Sequence, residues 1–141
     1  MKNFIIKFIV TIFMVNALIF PQQKRMMYDK LIEKKGIVYV SGEKKPYTGR
    51  VFDNYRNKGR KFTGAYRNGK KSGNWTHWKE NGKTDREESY SQGNKSGDWV
   101  YYSDDGIKVK LEKYEKGKDT GHKIYFYCNG KMEKEEFYVK D

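Results

Sequence analysis

The sequence predicts an all-β fold, an open single-layer antiparallel meander of tandem 24-residue β-hairpin repeats. Three observations carry that prediction. First, glycines at Gly49, Gly73, Gly97 and Gly121 and tyrosines at Tyr66, Tyr90, Tyr114 and Tyr138 keep one step of 24 residues. Gly69, Gly93 and Gly117 keep it too, as do Gly82, Gly106 and Gly130. Independent registers sharing one period mark an internal repeat. Second, Asn81-Gly82, Asp105-Gly106 and Asn129-Gly130 punctuate runs rich in β-formers, as hairpin turns do. Third, 16% of the 141 residues are aromatic although only 36% are hydrophobic. That argues against disorder, which is poor in aromatic residues. It also argues against a large aliphatic core.

Residues 1–20 read as an export signal. Lys2 and Lys7 supply a positive start, and Phe8 to Phe20 is mostly apolar. The apolar stretch has the length of a secretory signal and is short for a bilayer span. Val15-Asn16-Ala17 offers small residues for cleavage, while retention as an anchor stays open. The chain is thus expected to be exported, whether periplasmic, secreted or attached to the cell envelope.

Residues 21–48 form a basic lead-in. Leu31 to Val40 is expected to make a hairpin around Lys35-Gly36, because Ile37, Val38 and Val40 are β-formers. The alternative is a short helix over Met26 to Ile32, where Met27 and Leu31 stand at i,i+4.

Residues 49–141 divide into four repeats, 49–72, 73–96, 97–120 and 121–141. Each reads as a strand such as Gly73-Asn74-Trp75-Thr76-His77-Trp78, a type I′ turn at the Asn/Asp-Gly pair, and a return strand ending on the repeated tyrosine. The first repeat has Gly59 one residue late, which predicts a bulge or a three-residue turn there. Strand alternation puts Thr76 and Trp78, Val100 and Tyr102, and Ile124 and Phe126 on one face. Trp75 and His77, Trp99 and Tyr101, and Lys123 and Tyr125 take the other. Aromatic residues on both faces of one layer predict cross-strand ladders, with much apolar area left open to a partner.

The unit Tyr66-Arg67-Asn68-Gly69-Lys70-Lys71-Ser72-Gly73-Asn74-Trp75-Thr76-His77-Trp78, closed by Asn81-Gly82, resembles the MORN repeat, in particular its bacterial variant. A second copy runs from Tyr90 to Gly106, and a third from Tyr114 to Gly130 has Lys123 at the Trp position. Lys45-Pro46-Tyr47-Thr48-Gly49-Arg50-Val51 also looks like the segment preceding the repeats in bacterial YwqK-type antitoxins. The resemblance covers residues 36–141 and implies a hairpin ribbon. It also implies an antitoxin or immunity role, which fits poorly with an export signal. MORN repeats occur in phosphatidylinositol-phosphate kinases, but nothing in this chain resembles their catalytic domain.

No enzymatic activity, cofactor or metal is expected. Gly69-Lys70-Lys71-Ser72-Gly73 and Gly93-Asn94-Lys95-Ser96-Gly97 lack the spacing of a phosphate loop and the helix that must follow one. His77 and His122 fall at different repeat positions without a ligand set. Cys128 is the sole cysteine and has no Cys-His partner motif. Glu87-Glu88 and Glu135-Glu136 stand among lysines and read as a solvated cross-strand charge ladder.

The charge is unevenly placed. The formal net charge is +12, yet the chain from Gly73 onward carries slightly more acids than bases. Lys44, Lys45, Arg50, Arg56, Lys58, Arg60, Lys61, Arg67, Lys70 and Lys71 form the dense part. Two binding surfaces follow. The leading expectation is a non-catalytic protein-interaction module whose exposed aromatic ribbon, Trp75, Trp78, Trp99, Tyr101, Tyr102, Tyr125 and Phe126, engages an unknown protein. The alternative is an anionic lipid or membrane surface held by segment 44–71, at about 1 kcal/mol per cation. Nucleic acid is disfavoured by export.

Overall fold

A computed structural model describes residues 24–138, so the expectation of a leader over residues 1–20 lies outside the described residues. The strands are β1 (Arg25–Met27), β2 (Leu31–Lys34), β3 (Ile37–Val40), β4 (Gly49–Asn54), β5 (Arg60–Arg67), β6 (Lys70–Lys71), β7 (Gly73–Trp78), β8 (Thr84–Ser91), β9 (Asn94–Lys95), β10 (Gly97–Tyr102), β11 (Lys108–Glu115), β12 (Lys118–Phe126) and β13 (Met132–Phe137). From β4 to β13 the chain runs as the expected antiparallel meander, with β6 and β9 pairing back onto β5 and β8. Its hairpins pair in equivalent registers, Gly49 with Tyr66, Gly73 with Tyr90 and Gly97 with Tyr114. β1 departs from the antiparallel rule. It lies parallel to β4, placing Arg25 beside Arg50.

The turns are distributed differently from the sequence expectation. Asn81-Gly82 and its equivalents do not form two-residue I′ turns. Gly82 N–H donates to Lys79 C=O across 2.9 Å, and Gly82 has φ +82° while Asn81 does not enter the left-handed region. A type I turn ending on a left-handed residue results. The I′ pairs lie at the other margin, at Asn68-Gly69, Gln92-Gly93 and Lys116-Gly117, where both residues have positive φ. They join strands directly, for example Arg67 opposite Lys70.

The first repeat carries no inserted residue. Lys58 holds the left-handed site at φ +65°, one full step before Gly82, and Gly59 merely follows it. A bulge does occur there, but in all four hairpins alike. The register skips one residue on each return strand, at Lys61, Asp85, Val109 and Glu133.

β2 and β3 form the expected lead-in hairpin, Leu31 opposite Val40, turning at Lys35-Gly36. Helical backbone nearby is confined to a 3-10 turn at Tyr28–Lys30. The hairpin folds over the meander instead of extending it. Val38 N–H donates to Gly69 C=O, and Tyr47 N–H to Val38 C=O. Its approach is close: a Cβ on Gly69 would stand 2.8 Å from Val38 O. Val38, Tyr47, Val51, Tyr66 and Trp75 form a buried cluster, with Leu31, Val40, Met26 and Phe62 packed around it. The repeats form one open sheet as expected, and the lead-in hairpin adds a second layer over one end of it.

Candidate functional site

Two surfaces of the ribbon concentrate functional side chains, and strand alternation decides which residues reach each. The ladder face carries Trp75 and His77 from β7, Trp99 and Tyr101 from β10, and their partners Glu88, Tyr90, Glu112 and Tyr114. Tyr66, Trp75, Tyr90, Trp99 and Tyr114 form an unbroken aromatic file, with successive ring centroids 5.2, 6.2, 5.4 and 5.1 Å apart. Lysines clip the file together. Lys71 Nζ lies 4.4 Å from the Trp75 ring and 4.6 Å from Tyr90, and Lys95 repeats this at 3.9 and 4.5 Å from Trp99 and Tyr114. Each such contact contributes roughly 0.5–2 kcal/mol as water is withdrawn.

This packing corrects the expectation of an exposed aromatic docking face. Trp75 is 1% exposed and Trp99 5% exposed, so neither indole is open to a partner. Trp75 lies over Gly64, covered by Tyr66, Phe62 and the lead-in hairpin side of the core. Tyr101 and Tyr125 share the ladder face and are half-buried, while Trp78, Tyr102 and Phe126 are half-buried on the opposite face. The seven aromatic residues do not make one surface. Among the described residues, the open apolar side chains include Tyr127, Met132, Phe137 and Tyr138, gathered in the last hairpin.

The carboxylates also depart from expectation. Glu88 is not part of a solvated ladder; it is 5% exposed. Arg86 Nε donates to its Oε1 across 2.7 Å, Tyr90 OH donates to Oε2 across 3.0 Å, and His77 Nε2 lies 3.2 Å from Oε2. Burial alone would raise the Glu88 carboxyl, but the hydrogen bonds from His77 and Arg86 outweigh it and hold the group down to about 2. Glu112, one step later, is buried likewise. It accepts from Tyr101 OH at 2.9 Å and Tyr114 OH at 3.1 Å, and Lys110 Nζ lies 3.1 Å away. Against the upward push of burial, those bonds hold Glu112 below the usual carboxylate range. Burial and the Glu88 charge raise Tyr90 well above its ordinary value, and burial with Glu112 raises Tyr114 to about 12. The repeat position of Glu88, Glu112 and Glu136 is Gly64 in the first unit, where the indole fills the space. These groups are hydrogen-bonded to one another within the ladder face. Among the described residues no cluster of three His, Cys, Asp or Glu could hold a metal ion.

The second surface is basic. Lys44, Lys45, Arg50, Arg56, Lys58, Arg60, Lys61, Arg67 and Lys70 are exposed. Lys71 is not a member: it is half-buried between Trp75 and Tyr90, and burial lowers it despite Glu88. Lys61 is neutralised by Asp53 at 3.1 Å. The remaining eight have no acidic partner within 4.0 Å among the described residues. They divide by position. Arg56 and Lys58 sit on the first hairpin turn, Lys44 and Lys45 on the loop into β4, Arg67 and Lys70 on the first I′ turn, and Arg50 and Arg60 on the face opposite the ladder.

Arg25 joins the last pair through its parallel register with Arg50. Arg25, Arg50, Val51, Arg60 and Thr63 line a cavity of about 200 Å³. No sequence signal drew Arg25 into the site, since it stands beside the leader and is separated from Arg50 by the whole lead-in hairpin. No family model, curated protein or solved structure matches the chain.

Proposed function

We propose that the chain is a non-catalytic docking module whose basic first half engages an anionic partner. The observation that carries this reading is the distribution of unpaired charge. Eight exposed cations between Lys44 and Lys70 lack an acidic partner among the described residues. Beyond Gly73, seven of the twelve described cations have one: Lys79, Lys83, Arg86, Lys110, Lys116, Lys123 and Lys134. A surface that balances its cations with acids in one half and carries a net excess of them in the other attracts anions locally. The reading of residues 1–20 as an export signal favours an extracytoplasmic setting, where an anionic envelope surface is the natural partner. In that setting several cations together carry adhesion that none carries alone.

The test is charge reversal outside the core. Arg56, Arg67 and Lys70 changed to Glu should leave folding intact, because exposed charges contribute little to stability. Binding to phosphatidylcholine vesicles containing phosphatidylglycerol should fall sharply and weaken with added salt. Reversal of Lys113, Lys118 and Lys131 in the balanced half is the comparison. Equal loss in both variants would show that net charge alone acts, and the localised reading would be abandoned.

A protein partner is a second reading, favoured by Tyr127, Met132 and Phe137, which are exposed together around the last hairpin. Large apolar side chains left open on one hairpin are candidate points of contact with a partner. Met132→Ser with Phe137→Ser should abolish capture of that partner while leaving vesicle binding unchanged.

A further inference from the structure

We propose that the cavity walled by Arg25, Arg50 and Arg60 is a binding site for a phosphate group. This deepens the reading of the basic half and rests on it. The three arginines come from three adjacent strands, β1, β4 and β5, and are brought together by the parallel pairing of Arg25 with Arg50. Thr63 adds a hydroxyl to the lining. No acidic side chain lies within 4.0 Å of any of the three guanidinium groups among the described residues.

Two of the arginines are held by contacts that leave their donors free. The Arg25 guanidinium stands 4.8 Å from the Phe52 ring centre, and that of Arg60 stands 5.7 Å from Trp78. Stacking orders a guanidinium through its face and leaves its N–H edge available. At Arg50 it is the backbone that is fixed: its N–H donates to Lys24 C=O at 2.8 Å, its C=O accepts from Tyr47 OH at 2.6 Å, and the side chain itself is exposed. Ordering that precedes binding reduces the entropy a ligand must overcome.

Size and charge select the ligand class. A cavity of about 200 Å³ holds roughly six or seven waters at ~30 Å³ each, room for one phosphate group and part of its hydration. Three forked donors match its oxygens, which charge-assisted and bidentate bonds favour over a neutral sugar or amide. The larger groove at Arg67, Asn68 and Lys70 has two cations, and the one along Asn74 and Val100 is lined by acids. The arginine cavity is therefore set apart by charge, not by volume. The phosphate can belong to a soluble ester or to a lipid headgroup.

The test uses the full chain. Inorganic phosphate is titrated by calorimetry, and phosphatidylcholine vesicles with or without phosphatidic acid are tested by flotation. Saturable binding of one phosphate per chain is expected, weakened at least tenfold by Arg50→Gln and by Arg25→Gln, and unaffected by Lys113→Gln with Lys118→Gln. The conservative Arg60→Lys keeps the charge but loses the fork, so it should weaken phosphate binding while thermal unfolding stays unchanged. Flotation with phosphatidic acid, lost in Arg50→Gln, identifies a headgroup; phosphate binding without flotation identifies a soluble ester. Either supports the site. Absence of saturable phosphate binding, or equal weakening by the Lys113 and Lys118 variant, overturns it. If Arg50→Gln is without effect while reversal of Arg56, Arg67 and Lys70 still releases anionic vesicles, the cavity is refuted and the docking reading survives. If neither change matters, both fail.

Discussion

Replacing Gly64 with alanine should cost about 2–3 kcal/mol, an unusual penalty for adding a single methyl group to a strand. A Cβ on Gly64 would stand 2.5 Å from Trp75 Cε3 and closer still to Cδ2 and Cε2. Carbon atoms rest at about 3.5–4.0 Å, so the indole must retreat by roughly 1 Å or more. Trp75 has little room to do so, being 1% exposed and flanked by Tyr66, Tyr90 and Phe62. Full burial of an indole is worth roughly 4–6 kcal/mol at ~25 cal/mol per Å² over ~150–250 Å². Partial displacement forfeits a share of that, which agrees with the ~1–3 kcal/mol typical of overpacked cores. Gly64 does not occupy the left-handed region, so the penalty is steric and not one of backbone strain. Urea unfolding followed by tryptophan fluorescence and circular dichroism measures it. Gly59→Ala is the control, also outside the left-handed region and meeting only the Asn57 side chain at 2.9 Å. If Gly64→Ala matches the control, or stabilises as glycine replacement in strands ordinarily does, the account of Trp75 burial is wrong.

Lys58→Gly should stabilise by about 0.5–1 kcal/mol, since a lysine at φ +65° occupies a site that glycine fills in the later repeats; a lowered urea midpoint would contradict the turn assignment. Stability should fall as pH drops from about 4.5 to about 2, because there an unfolded Glu88 takes up a proton that the folded one, held down to about 2, refuses. The Glu88 share of that slope approaches about 1.4 kcal/mol per pH unit, and Glu88→Gln should remove it; an unchanged acid limb would count against the buried hydrogen-bonded carboxylate. Deleting Gly73 to Ser96 should leave a shorter folded ribbon with Trp99 taking the place of Trp75, whereas removing half that length should abolish cooperative unfolding.

The period, the strand content and the hairpins were legible in the sequence because they repeat, and repetition exposes registers that single segments hide. The I′ turns were not, since Gln92-Gly93 and Lys116-Gly117 are uncommon pairs for a conformation that Asn-Gly signals elsewhere. Lys58 was hidden by the neighbouring Gly59, which drew attention one residue too far. Burial of Trp75 and Trp99 comes from the repeated cross-strand packing of tyrosine and lysine. At Trp75 it comes also from a core that a hairpin some forty residues earlier joins, a nonlocal contact with no periodic trace. Glu88 was obscured by Glu87: adjacent residues on a strand face opposite ways, and only the pairing with Trp75 shows which one is covered. Arg25 reached the cavity through a parallel pairing that no turn announces.

The I′ turns have a mechanical consequence. Gly69 N–H donates to Tyr47 C=O, Gly93 N–H to Lys71 C=O and Gly117 N–H to Lys95 C=O, each bond one repeat after the last. At the opposite margin Asn57 Nδ2 donates to Glu80 C=O and Asn81 Nδ2 to Asp104 C=O in the same rhythm. Both margins of the ribbon are thus sewn. Pulling the ends apart along the stacking direction loads these stitches one after another, so hairpins should peel singly at low force. Pulling along the strands loads many bonds at once, and the same molecule should resist as a plank. A chain anchored at one end and bound at the other would transmit or yield to tension according to its orientation.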